Sequence, residues 1–227
     1  MILLSDLISR IRTQHEMTGA RGQARWSDGD ILDIINEGLE TLAEETHFYE
    51  RYTTIPFSRI TNRVWFDLRG FAPETVVRVT SIYNSNRTEW LRPVSTQMLP
   101  WDWVRSVGEP QVFFTRGIYQ IGTWPHSNGT AGFLRVHYSG LPQKHRNVTE
   151  VTLRDLPDNH LQALEYYCLY EMSMQDREPK RGLQLYQKYL EREKQLRDFI
   201  DNRKDEAGRI HVLGGGHVEA GRHDDMW

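Results

Sequence analysis

The sequence has a single cysteine among 227 residues, so no internal disulfide can staple the fold, and no cysteine pair exists to complete a structural zinc site. Cys168 falls in an apolar, helix-spaced stretch where packing is its expected role. Long hydrophobic runs are also missing. The apolar start "MILLSDLISRIR" is too short to cross a bilayer and has no basic region ahead of it, so neither a membrane span nor a secretory leader is expected, and synthesis belongs in a reducing cytoplasm. Charge of one sign is absent too: the formal net charge is −3, which excludes a protein that coats nucleic acid by bulk charge. Lysine is scarce, with 5 Lys against 23 Arg. That bias favours planar, weakly hydrated cations suited to protein interfaces and phosphate contacts.

Motifs of chemistry are equally thin. There is no Gly-Lys-Ser/Thr sequence, and "GGGHVEAG" follows a helical pattern without preceding another, so no phosphate cradle is expected. No Gly-x-Ser-x-Gly elbow supplies a nucleophile. The nine histidines include no i, i+4 pair. His211, His217 and His223 are spaced along a glycine-containing stretch and read as solvated or partner-contacting imidazoles rather than metal ligands. Neighbouring carboxylates such as Glu44 and Glu45, or Asp224 and Asp225, do not identify a glycosidase without geometry. The expectation is a protein with no cofactor, no metal and no catalytic site.

What the chain does contain is globular: hydrophobic residues at 38% and charged residues at 26%. Residues 2–15 place Leu3, Leu4, Leu7, Ile8 and Ile11 on one helical stripe. In "RWSDGDILDIINEGLETLAEET", Ser27 and Asp30 form a capping box, Trp26 is placed to staple onto Ile31, and Ile31, Ile34, Ile35, Leu39 and Leu42 form a buried face, with Glu37, Glu40 and Glu44 turned to water. From Tyr52 to about residue 140 the alternation becomes two-fold, and Asn128-Gly129 marks a tight hairpin. Helical spacing returns after Pro157, which fits a first turn, with Leu161, Leu164, Cys168 and Met172 on one face. A second helix follows from about Lys180 to Arg203, with Leu183, Tyr186, Leu190 and Ile200 as its stripe and Glu193 with Arg197 as a surface pair.

The fold class expected is α+β: a four-helix bundle carrying an inserted antiparallel β module, a small sandwich or sheet, and an extended C-terminal tail. The segments are N-terminal helices over 1–50, the β module over 51–150, a helical hairpin over 151–205 and the tail over 206–227. The tail reads as extended because Gly214, Gly215, Gly216 and Gly221 each add about 1 kcal/mol of helix cost. Trp101 and Trp103, two residues apart beside Pro100 and Pro110, fall on the same side of an extended segment; they either plug one end of the β module or, with Arg105, form a subunit or tail contact.

The order of these elements resembles the head-to-tail adaptor (connector) proteins of tailed bacteriophages, including the tail-tube adaptor of short-tailed phages. The resemblance is carried by Trp26-Ser27-Asp28 at the second helix, Gly108-Glu109-Pro110 before an aromatic strand, Trp124-Pro125 in the hairpin and Leu156-Pro157 before the third helix, and it spans about residues 1–205. It implies a structural virion protein, not an enzyme, located in the neck between head and tail. Such a protein forms a homo-oligomeric ring, usually twelve-fold, that docks beneath the portal protein, receives the next tail or nozzle component and lines the DNA channel with non-specific contacts. By the same resemblance the C-terminal segment is a portal-binding element, with Ile210, His211, Val212, Leu213 and Trp227 as its anchors. Two other classes fit the residues alone: a tail-associated cell-wall or polysaccharide hydrolase acting through a carboxylate, and a host-glycan-binding module using Trp101, Trp103 or Trp124.

Overall fold

The computed structural model describes residues 3–17, 26–147 and 156–223, the last stretch as backbone alone from Arg203 onward. Its elements are helices α1 (Leu4–Met17) and α2 (Asp28–Thr46), then ten strands, then helices α3 (Leu161–Gln175) and α4 (Pro179–His223). The strands are β1 (Glu50–Pro56), β2 (Trp65–Asp67), β3 (Val76–Asn84), β4 (Glu89–Trp90), β5 (Arg92–Pro93), β6 (Val107–Gly108), β7 (Val112–Arg116), β8 (Gln120–Trp124), β9 (His126–Ser127) and β10 (Phe133–Gly140). The protein is therefore mixed α+β, with four helices and several sheets. It divides into a helical unit, residues 1–42 and 145–227, and a β unit, residues 43–144. Among the described residues no helix is long and apolar enough to cross a membrane.

In the helical unit, α2 starts where its capping box places it. The Ser27 N–H donates to Asp30 Oδ2 at 2.9 Å and the Asp30 N–H to Ser27 Oγ at 3.1 Å, so two orphan donors of the first turn are satisfied reciprocally. Those hydrogen bonds from Ser27 hold the Asp30 carboxyl below its usual range. Ile31, Ile34, Ile35, Leu39 and Leu42 are all buried. Of the stripe on α1, Leu4, Leu7, Ile8 and Ile11 are buried, but Leu3 is not; the fifth inward position is His15, one turn beyond Ile11. Trp26 reaches beyond its own helix: its indole N–H donates to Asp176 at 3.4 Å and its ring stands edge-on to His15.

Helix α3 is central to this unit. Its buried residues fall on all sides, Leu161, Leu164, Cys168 and Met172 together with Ala163, Glu165, Tyr167, Leu169 and Ser173, which is how a helix flanked on several faces reads. It is preceded by a 3₁₀ turn, Asp158–His160, so Pro157 caps that turn instead of occupying the first turn of the α-helix. Gly38 lets α2 approach closely: a Cβ there would lie 2.7 Å from atoms of both Leu164 and Tyr167.

Two expectations for α4 are corrected. Its inward stripe is Gly182, Tyr189, Glu193 and Leu196, while Leu183, Tyr186 and Leu190 face out, Leu183 with 59% of its surface exposed. Sequence hydropathy selected the wrong stripe because the inward one carries a glycine and a carboxylate. Glu193 is buried while its partner Arg197, 2.5 Å away, is exposed, so only one end of the expected surface pair is at the surface. The backbone also stays helical to His223, so the extended tail expected over 206–227 is overturned over that stretch. A helix already nucleated gains one hydrogen bond for each residue added, and glycine opposes that propagation without forbidding it.

The β unit has a four-stranded antiparallel sheet in the order β1-β10-β3-β4 and a second sheet in the order β2-β8-β7-β5. Its core is Ile55, Phe57, Phe66, Leu68, Ile82, Phe113, Ile121, Leu134, Val136, Tyr138 and neighbours. The module is not wholly antiparallel: β5 pairs with β7, and β6 with β9, in two-residue parallel ladders. Such short ladders form where a loop is laid along a strand, so they need no helical crossover. Asn128-Gly129 is likewise no hairpin turn between paired strands, since β9 before it pairs with β6 and β10 after it pairs with β1 and β3. Gly129, at φ +79°, instead turns a loop in which Asn128 Oδ1 accepts from the Thr130 N–H.

Candidate docking surface

Pro100, Trp101 and Trp103 are not in an extended segment. Two 3₁₀ turns, Thr96–Met98 and Trp103–Arg105, fold the loop, and the Trp103 N–H donates to the Pro100 carbonyl at 2.9 Å. The tight turn sends the two indoles apart, so the expectation that they share a side fails. Trp103 packs edge-to-face on Trp65 at 6.4 Å, Phe114 at 5.1 Å and His126 at 6.0 Å, while Trp65 meets Phe114 at 4.9 Å. Phe114 lies over Gly122 on the facing strand, where any Cβ would come within 2.0 Å of the ring. His126 is locked by its Nδ1–H, which donates to the Thr123 carbonyl at 2.8 Å.

Trp101 stands outside this cluster with 93% of its surface exposed. Met98 is 78% exposed, and Val104 and Val107 are also out in solvent. Arg105 is exposed beside them. The loop thus carries four large apolar side chains to the surface on a backbone fixed by the Trp103 ring. Clustered exposure of this kind marks a protein interaction site more often than an ordinary surface, and tryptophan concentrates binding energy when it is buried by a partner. Of the two tryptophans, Trp103 takes the packing role and Trp101 is exposed.

A second surface was not foreseen. On the outward side of the first sheet, Tyr52 lies across from His137 in the β1–β10 register with ring centroids 5.7 Å apart, and His137 meets Trp90 at 5.2 Å. Trp90 meets Tyr83 at 5.5 Å, and the Arg135 guanidinium lies 5.2 Å over the Tyr52 ring. The signal was present in "FLRVHYSG", whose off-phase residues Phe133, Arg135 and His137 are aromatic or cationic rather than small and polar. Burial, with the Arg135 charge adding to it, pushes the His137 imidazole below its usual pKa.

In the helical unit a groove of about 520 Å³ is lined by Met17, Tyr166, Leu169, Leu185, Arg181 and Lys188, among others. Arg181 is held by Glu178 at 2.9 Å and donates to the His15 carbonyl at 3.2 Å. His15 itself is buried 3.2 Å from Asp176. Burial and Arg181 lower its pKa, and the carboxylates of Asp176, Glu178 and Glu16 oppose them. Cys168 is fully enclosed, and burial pushes its thiol well above the usual range, as expected of a packing residue. Among the described residues no three histidine, cysteine or carboxylate side chains are grouped to hold a metal ion.

The backbone at Ile210, His211, Val212 and Leu213 is helical, and the side chains there lie outside the described residues, as does Trp227 altogether. The surfaces among the described residues are the exposed apolar loop, the aromatic face around His137 and the groove of the helical unit. No characterised protein matches the sequence significantly. Over residues 2–212, however, it matches the SU10 adaptor protein family, and the chain belongs to that family.

Proposed function

We propose that this protein is a ring-forming head-to-tail adaptor of a bacteriophage. Membership in an adaptor family supports a structural role in the virion neck, and the match over residues 2–212 is the observation that carries the reading. In this reading copies of the chain close into a ring, twelve-fold in the usual pattern, that docks beneath the portal and joins the DNA-filled head to the next tail component. The ring encloses the DNA channel, and some of its arginines contact phosphates without reading sequence. The C-terminal segment, with Ile210, His211, Val212, Leu213 and Trp227, engages the portal. The loop bearing Trp101 and Arg105 supports contacts made within the ring or with the tail.

The test is to combine the full chain with its portal protein and follow the complex by sedimentation and electron microscopy. A ring on the portal is the expected result. Removing residues 206–227 should abolish docking while leaving the circular dichroism of the remaining chain that of a folded α+β protein. Docking at full strength by the truncated chain would remove the C-terminal segment from the proposal.

A further inference from the structure

Resting on the reading that copies of this chain associate, we propose that the 98–107 segment of one copy seats in the α1/α3/α4 groove of a second copy, with Trp101 as the anchor. The two surfaces are complementary in shape class and in charge. The segment offers one nearly fully exposed indole flanked by Met98 and Val104. The groove, about 520 Å³, offers Met17, Leu169 and Leu185 as apolar walls and Tyr166 as an aromatic one. A cleft of about 520 Å³ falls within the roughly 300–1,000 Å³ of clefts that enclose small molecules, so it has room for an indole.

Charge sets the orientation. None of the groove's lining side chains is a carboxylate; of its two cations Arg181 is already paired with Glu178, so Lys188 is the one that faces an incoming anion. The Lys188 ammonium already lies 5.6 Å over the Tyr166 ring, which shows that this position suits a cation against a π face; an incoming indole offers a second such face. Asp102, exposed and adjacent to Trp101, is the anion that meets Lys188. The segment is also pre-shaped. The Arg105 N–H donates to the Asp102 carbonyl at 2.9 Å and the Trp103 ring is pinned by Trp65 and Phe114, so little ordering cost remains for binding. Segment and groove are different surfaces, so repetition of the contact in one direction builds a closed ring where the rotation between copies closes.

The experiment uses the full chain. A Val104→Cys variant is mixed with a differently tagged Gln184→Cys variant in the presence of a short bis-maleimide, with the native Cys168 silent because it is enclosed. Covalent pairs between the two tags are expected, and none when Ile118→Cys, an exposed position elsewhere in the β unit, replaces Val104→Cys. Trp101→Ala should weaken association about 30-fold, the effect of truncating one aromatic anchor. Asp102→Lys and Lys188→Asp should each weaken it, and mixing the two variants should restore the contact between them. Rings that form normally without the 104–184 cross-link, or at wild-type strength with Trp101→Ala, overturn this contact and leave the adaptor reading standing. Failure of the wild-type chain to assemble at any concentration, with or without portal, overturns both.

Discussion

The two units of this chain are held by different forces. In the helical unit, ion pairs and a histidine–carboxylate contact join separate elements: Arg10 with Glu165, Arg12 with Asp28, and the His15 imidazole with Asp176. In the β unit the long-range links are rings and neutral amides: Trp65, Trp103 and Phe114 edge-to-face, Asn84 donating to the Pro110 carbonyl at 2.9 Å, and Asn86 to the Ala131 carbonyl at 2.8 Å. The difference follows from geometry. A long side chain on one helix can reach across to the next, whereas a thin sheet layer is filled by flat groups and braced by main-chain carbonyls. The helical unit should therefore respond to changes of charge and the β unit to changes of volume.

The sharpest break in that contrast is Phe114→Ala. It empties the space above Gly122 and removes the ring that Trp65 and Trp103 share, so the β unit should lose about 3–5 kcal/mol, with the far-ultraviolet helical signal retained. Denaturant unfolding followed by tryptophan fluorescence measures this. Next is Arg10→Met, which leaves the buried Glu165 without its cation. A loss of about 1–3 kcal/mol is expected, and most of it should return when Glu165→Met is added, because the double variant buries no charge. A full loss in the double variant would mean the ion pair is not what holds α1 to α3.

The smallest effect is one of pH. His137 and His15 both have pKa values lowered by burial, so the unfolded chain binds their protons more readily than the folded one. Both units should be at full stability above the unfolded histidine pKa of about 6.5 and should lose stability as the pH falls below it toward the lower folded values. His137→Phe should flatten that acid dependence for the β unit alone. An unchanged slope in this variant would assign the acid response elsewhere.

Much of the helical unit was legible from local chemistry. The capping box, the face of α2 and the inward cysteine of α3 each depend on residues within a few positions of one another. Helix α4 was not, because its apolar residues form an outward stripe while Gly182, Tyr189 and Glu193 go inward, a choice made only by the neighbouring α3. In the β unit the alternation announced strands, but the order β2-β8-β7-β5 and the parallel β5–β7 ladder rest on pairings distant in sequence. The exposed loop was half legible: the tryptophans and Arg105 were found, and the turn at Pro100 that separates Trp101 from Trp103 was hidden. The aromatic face around His137 was missed because Tyr52, Trp90 and His137 come together only through the register of four strands.

The seat that Gly122 provides for the Phe114 ring ties two positions into one heritable unit. A side chain at residue 122 would run into the Phe114 ring, so substitution there is expected to require a smaller residue at 114. Covariation between these two columns would therefore record the β7–β8 alignment across the family, even where the surrounding sequence has drifted beyond comparison.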